Sequence, residues 1–279
     1  TSNMDLQYNP IGTVGDNIYL LTNDGAPKGR IMVANVHKPG FKDWKELVGE
    51  TKNVLENAQF AADKLVLSYS KDASTHLYVY SLDGKELNEI KLPTVGRASF
   101  SGERGQKECF YSFASFTVPG AIYQYDMAQN KSSVYTEPKV KFSLNQYTTE
   151  QVFFNSKDGT RVPMFLTYRK GLKRNGKNPV LIYGYGGFNV SLSPNFSSMR
   201  IPFLENGGVY VQVNLRGGSE YGEEWHVAGT KMQKQNVFDD FISAAEWLVS
   251  NHFTSKEHIA IMGGSNGGLL VGACMTQRP

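Results

Sequence analysis

The chain has 279 residues, 40% hydrophobic and 20% charged, with a net charge of +3; this is ordinary globular composition at a length that suits two domains. Lysine and arginine are scattered among aspartate and glutamate, which argues against a nucleic-acid partner, and no apolar run reaches the ~18 residues that a membrane span needs. Two cysteines, Cys109 and Cys274, stand far apart and in no CxxC pattern, which argues against a disulfide framework or a zinc site and leaves both as small buried hydrophobes.

From residue 1 to about 140 the sequence reads as short strands between turn clusters. Three strand pairs share one layout: Asn17–Thr22 with Ile31–Val36, Lys64–Tyr69 with Leu77–Leu82, and Glu108–Phe113 with Ile122–Met127. Their spacing of roughly 45 residues is a blade-like period with about four strands per unit. Asn23-Asp-Gly25 and Asp83-Gly84 sit where strands should reverse. The stretch is read as a partial β-propeller of about three blades; a β-sandwich with accidental similarity is the alternative.

From residue 141 to 279 the pattern changes. Val152-Phe-Phe154, Ser156-Lys-Asp-Gly159 and Val162–Thr167 form a hairpin signature. Continuous apolar runs follow at Val180–Tyr183, Val209–Val213 and Ile259–Met262, as in strands buried on both faces of a mostly parallel sheet. Between the last two, Phe238, Phe241, Ile242, Ala245, Leu248 and Val249 recur at helical spacing, with Asn236 placed to cap the helix. The alternation of strand and helix predicts an α/β layer architecture.

The sharpest chemical signal is Gly263-Gly-Ser-Asn-Gly-Gly268, which fits G-x-S-x-G. The apolar strand from His258 to Met262 runs into it and a helix-compatible stretch, Leu269 to Met275, runs out. A serine on such a turn is lifted above the carboxyl edge of a sheet, with helix amides facing the reacting oxygen. Ser265 is therefore the expected nucleophile. A phosphate loop fits poorly, because neither G-x-G-x-x-G nor Gly-Lys-Ser/Thr occurs here; a purely structural turn is the other alternative. The backbone N–H of Asn266 is the expected first oxyanion donor. The second is sought in Tyr183-Gly-Tyr-Gly-Gly-Phe188, where Tyr185 offers a phenol; on spacing alone, Tyr183 and Tyr185 also read as packed aromatics. No general base is evident. Residues 266–279 contain no Asp, Glu or His, and His258 lies about 20 Å back along the strand that delivers Ser265. His226, His252, His37 and His76 read as surface or packing residues.

Four motifs occur together and in order: Tyr183–Phe188, Arg216-Gly-Gly-Ser-Glu-Tyr-Gly222, Lys234-Gln-Asn-Val-Phe-Asp-Asp-Phe241 and Gly263–Gly268. Together they resemble the prolyl oligopeptidase family of serine peptidases, with Ser219 where a third glycine is common. The resemblance implies a β-propeller capping an α/β-hydrolase domain. It implies an endopeptidase that cleaves short proline-containing peptides on the carboxyl side of proline, with no cofactor and no metal. Ser265 resembles the nucleophile, Asn266 and Tyr185 the oxyanion donors, and Phe188 an aromatic wall of the proline pocket.

On this resemblance the catalytic Asp and His would lie beyond residue 279, so the stretch alone is expected to be inactive and poorly soluble. The complete protein is expected to be a monomer with no membrane or nucleic-acid partner. A cytoplasmic location is expected, with periplasm and secretion left open because the sequence begins at Thr1. Rival readings are an esterase of the same layout and a non-enzymatic binding module.

Overall fold

Turn residues and alternating aromatic or β-branched residues set up three repeats of four strands in the first half of the chain. The computed structural model describes residues 6–141 and 143–279. The first repeat is β1 (Tyr8–Val14), β2 (Asn17–Thr22), β3 (Arg30–Asn35) and β4 (Lys45–Val48). The second is β5 (Val54–Ala61), β6 (Lys64–Lys71), β7 (Ser74–Ser81) and β8 (Glu86–Ile90). The third is β9 (Arg97–Ser101), β10 (Cys109–Ala114), β11 (Ala121–Asp126) and β12 (Lys131–Thr136).

Each repeat is a four-stranded antiparallel sheet with neighbouring strands in chain order. The three repeated strand pairs of the sequence are β2/β3, β6/β7 and β10/β11, the inner two strands of each sheet. Gly25 (φ 63°) and Gly84 (φ 87°) occupy the turns after β2 and β7. A Cβ at Gly84 would overlap the Leu47 carbonyl oxygen, so that turn admits only glycine. Tyr19, Leu21 and Ile31 of the first sheet form one buried cluster with Leu55, Phe60, Leu65 and Leu67 of the second. Face-to-face burial between successive sheets is what a stacked repeat requires.

The chain folds into two compact units: residues up to Ala114 with Gly120–Pro138, and Ser115–Pro119 with Lys139–Pro279. The second unit holds a five-stranded sheet of β13 (Tyr147–Asn155), β14 (Arg161–Arg169), β15 (Val180–Tyr183), β16 (Val209–Val213) and β17 (Ile259–Met262), in the order β13-β14-β16-β15-β17. The hairpin β13/β14 is antiparallel and joins β16 antiparallel, whereas β16, β15 and β17 run parallel. All five residues of β16 are buried, which explains a run that is apolar but for Gln212.

The unit's helices are α1 (Ile201–Glu205), α2 (Glu223–Val227), α3 (Gln235–Ser250) and α4 (Asn266–Gln277). Val237, Phe241, Ala244 and Leu248 recur at helical spacing on α3 and join Val162, Met164, Ile182 and Val211 in one core. Burying each of these valine, leucine, isoleucine, methionine and phenylalanine side chains stabilises by ~1.5–3 kcal/mol.

The helix differs from expectation at both ends. Asn236 does not cap it: the helix begins at Gln235 with Lys234 at the N-cap and no side-chain cap. A 3-10 turn over Lys231–Gln233 runs straight into the helix, so backbone carbonyls receive the Lys234 and Val237 amides and no extended residue remains to act as an Asx cap. Asn236 instead donates from Nδ2 to the Ala228 carbonyl at 2.9 Å. At the far end Val249 is 36% exposed, because the buried face runs through 237, 241, 244 and 248. The strand before Ser265 begins at Ile259, after a 3-10 turn over Lys256–His258. Among the described residues no helix is long and apolar enough to cross a membrane.

Candidate active site

Parallel pairing places three loops side by side. Tyr183 at the end of β15 is level with Gln212 on β16 and Met262 on β17, so the segments after these strands leave the same carboxyl edge of the sheet. This is where ligands bind in open α/β sheets. The Gly184 amide extends the ladder by donating to the Met262 carbonyl at 3.3 Å.

The turn after β17 carries Ser265 at φ 53°, ψ −118° as the residue preceding α4. The residue is exposed. The turn is closed by Gly267 N–H to Gly264 O and Gly268 N–H to Ser265 O, both 2.8 Å. Two of the four flanking glycines are sterically required. A Cβ at Gly263 would overlap the Gly267 carbonyl oxygen, and one at Gly267 would meet the Gly184 carbonyl oxygen at 2.7 Å. Gly264 and Gly268 have nothing within 4 Å, so steric crowding does not account for these two. Among the described residues, none of the second unit's histidines hydrogen-bonds Ser265. His226 Nδ1 lies 2.9 Å from the Gly217 carbonyl oxygen, and His258 Nδ1 lies 2.8 Å from Ser255 Oγ.

The glycine-rich loop after β15 lies against this turn. The Asn266 side chain donates from Nδ2 to the Tyr185 carbonyl at 2.5 Å. A Cβ at Gly187 would meet that same Nδ2 at 2.5 Å, and one at Gly186 (φ 61°) would overlap Val237 Cγ1. The loop is thus pressed flat between α3 and the residue after Ser265. Tyr185 is half-buried, while Phe188 is 75% exposed at φ 54°. Asn189 (φ 58°) donates its amide to the Gly217 carbonyl at 3.1 Å.

Two groups that sequence reading did not single out hold this surface together. Lys234 Nζ donates to the Gly186 carbonyl at 2.7 Å and to Asn266 Oδ1 at 3.3 Å, and burial lowers its pKa. Arg216, 4% exposed, is the other. Its Nε and Nη2 bond the buried Asp240 carboxylate at 2.5–3.1 Å, and its Nη1 bonds Asp158 at 2.5 Å and Thr160 Oγ1 at 3.2 Å. Burial pulls the Arg216 pKa down, but the bonds to Asp240 and Asp158 more than reverse this. The Arg216 bond holds the Asp158 carboxyl down at about 2. Lys234 and Arg216 each open one of the four motifs, yet only spatial proximity reveals their partners. Among the described residues no three His, Cys, Asp or Glu side chains gather into a metal-sized cluster.

Comparison with known proteins agrees along the whole chain. The model for the N-terminal β-propeller domain of prolyl oligopeptidase matches residues 1–138, and the prolyl oligopeptidase family model matches residues 194–279. The prolyl endopeptidase of Elizabethkingia meningoseptica is 48% identical over 276 residues, covering 99% of this chain and 39% of that protein. That of Dictyostelium discoideum is 39% identical, covering 94% and 36%. A solved prolyl endopeptidase structure superposes with a TM-score of 0.92 at 47% identity, covering 98% of this chain and 41% of that one. Prolyl oligopeptidase B from Galerina marginata, solved with a 35mer hydrolysis and macrocyclization substrate, has a TM-score of 0.91 at 34% identity, covering 98% and 39%. The chain therefore spans about two fifths of the length of these relatives. Its repeated sheets are propeller blades and its five-stranded unit is part of a peptidase domain: the chain belongs to the prolyl oligopeptidase family.

Proposed function

We propose that the complete protein is a serine endopeptidase that hydrolyses short peptides on the carboxyl side of proline. The observation that carries this reading is an exposed serine at φ 53°, ψ −118° before a 12-residue helix, with a glycine loop hydrogen-bonded to the next residue. In this reading the Ser265 hydroxyl attacks the carbonyl after proline. The Asn266 N–H and the Tyr185 phenol receive the developing oxyanion, and water then releases the acyl group. The proton of Ser265 passes to a histidine oriented by an aspartate, both outside these 279 residues, which leaves this stretch inactive alone. Phe188 would present its exposed ring as a flat wall for the pyrrolidine. The partners are proline-containing peptides; the Galerina relative was solved with a peptide substrate, which supports peptides as the class. We propose no metal or organic cofactor, since acyl transfer through a serine requires none. Residues 1–140 are assigned to the propeller and 141–279 to the peptidase domain. Buried, unpaired Cys109 and Cys274 suit a reducing cytoplasm.

A fluorophosphonate probe on the full-length protein tests the reading. Labelling of wild type and none of Ser265→Ala is expected, with turnover of prolyl peptide amides above that of simple acyl esters. Tyr185→Phe should lower turnover by ~10²–10³ with folding intact, the usual loss for one oxyanion donor. A folded protein that takes no label is not a serine hydrolase.

A further inference from the structure

Resting on the acyl-transfer reading above, we propose that Lys234 is a positioning residue for the oxyanion hole, its ammonium tying the Tyr185–Gly186 backbone to the Asn266 side chain. Three bonds form the clamp: Lys234 Nζ to Gly186 O (2.7 Å), Lys234 Nζ to Asn266 Oδ1 (3.3 Å) and Asn266 Nδ2 to Tyr185 O (2.5 Å). They link, in one ring of contacts, the residue whose amide follows the nucleophile and the residue that carries the phenol. Neither Lys234 nor the Asn266 amide group is needed to build α3 or α4, both of which start without a side-chain cap.

The location is a poor one for a lysine serving the helix alone. Lys234 is the N-cap of α3, and a cation there opposes the helix dipole. Its ammonium is partly buried, and its hydrogen bonds run to neutral oxygens. A carboxylate or hydroxyl would serve the helix better. What the ammonium does instead is bond two oxygens, the Gly186 carbonyl of the loop and Oδ1 of Asn266.

The loop it holds is under backbone strain. Phe188 and Asn189 have positive φ, at 54° and 58°, the phenylalanine being the strained one, and such a conformation persists only when its surroundings enforce it. Gly186 and Gly187 lie so close to Val237 and Asn266 that neither has room for a Cβ. The loop cannot settle closer; released, it would move outward. A displacement of about 1 Å at a catalytic donor is enough to cost ~10²-fold in rate.

The test is Lys234→Met in the full-length protein, which keeps the length and removes the charge and donors. We expect kcat and the fluorophosphonate acylation rate to fall ~10–100-fold, the range for losing an orienting partner, with KM changed less than about threefold and the melting temperature near wild type. Lys234→Arg, which keeps donors for both oxygens, should recover most of the loss. If Lys234→Met does not fold, Lys234→Gln, whose shorter and neutral side chain falls short of the two oxygens, is read instead and should show the same split. Wild-type labelling with unchanged acylation in the folded Met or Gln variant overturns the positioning role and leaves the peptidase reading intact. A fall in kcat matched by a rise in KM, or no recovery in Lys234→Arg, also overturns it. Absence of labelling in folded wild type overturns both.

Discussion

Ser265 sits at a backbone setting, φ 53° and ψ −118°, that glycine adopts readily and a residue with a Cβ adopts only under strain. Strain of this kind costs on the order of 1–3 kcal/mol. Ser265→Gly should therefore raise the melting temperature of the full-length protein while abolishing fluorophosphonate labelling. A lower melting temperature would mean that the serine side chain itself supports the turn. The stability gained by removing the Cβ, and the hydroxyl with it, is the signature expected of a functional site held against its own conformational preference.

Among the elements, the Arg216 side chain joins three that are far apart in sequence: the β13/β14 turn through Ser156, Asp158 and Thr160, the loop after β16 through its own backbone, and α3 through Asp240. Asp240 is fully buried, so removing its partner strands a charge in the interior. Arg216→Met should cost ~3–5 kcal/mol in denaturant unfolding; a loss under ~1 kcal/mol would mean that Asp240 finds another partner. The Asp158 arm carries a pH signature. Its folded pKa, about 2, lies below the unfolded value. Its contribution is therefore complete above about pH 4 and vanishes as pH falls toward about 2. The contribution is modest because the carboxylate is 46% exposed and screened by solvent. Unfolding curves of wild type and Asp158→Asn, distinct at about pH 6, should converge between about pH 4 and 2. A constant difference across that range would remove the pair from the account.

At the scale of the whole chain, β17 stands at the end of the sheet order with Ala260 and Met262 exposed, and α4 exposes Leu269 and Met275. An unpaired strand edge beside an apolar helix face invites association. The 279-residue chain made alone should bind a hydrophobic dye and self-associate by light scattering. A monomer with a sharp cooperative melt and no dye binding would contradict this.

The sequence by itself determined the repeat of four strands, the hairpin, the parallel strands and the serine turn, because each is written in short-range patterning or turn chemistry: the repeated strand pair with its turn residues in β6 and β7, a largely apolar run in β16, glycines at 263 and 267. The start of α3 escaped because an incoming 3-10 turn, not a side chain, satisfies its first amides. Only the tertiary structure decided that Lys234 meets Gly186 and Asn266, and that Arg216 meets Asp158 and Asp240. Those pairs are 24 to 58 residues apart, and charged side chains at such separations have no local pattern that names their partners. The order and register of the strands bring them together.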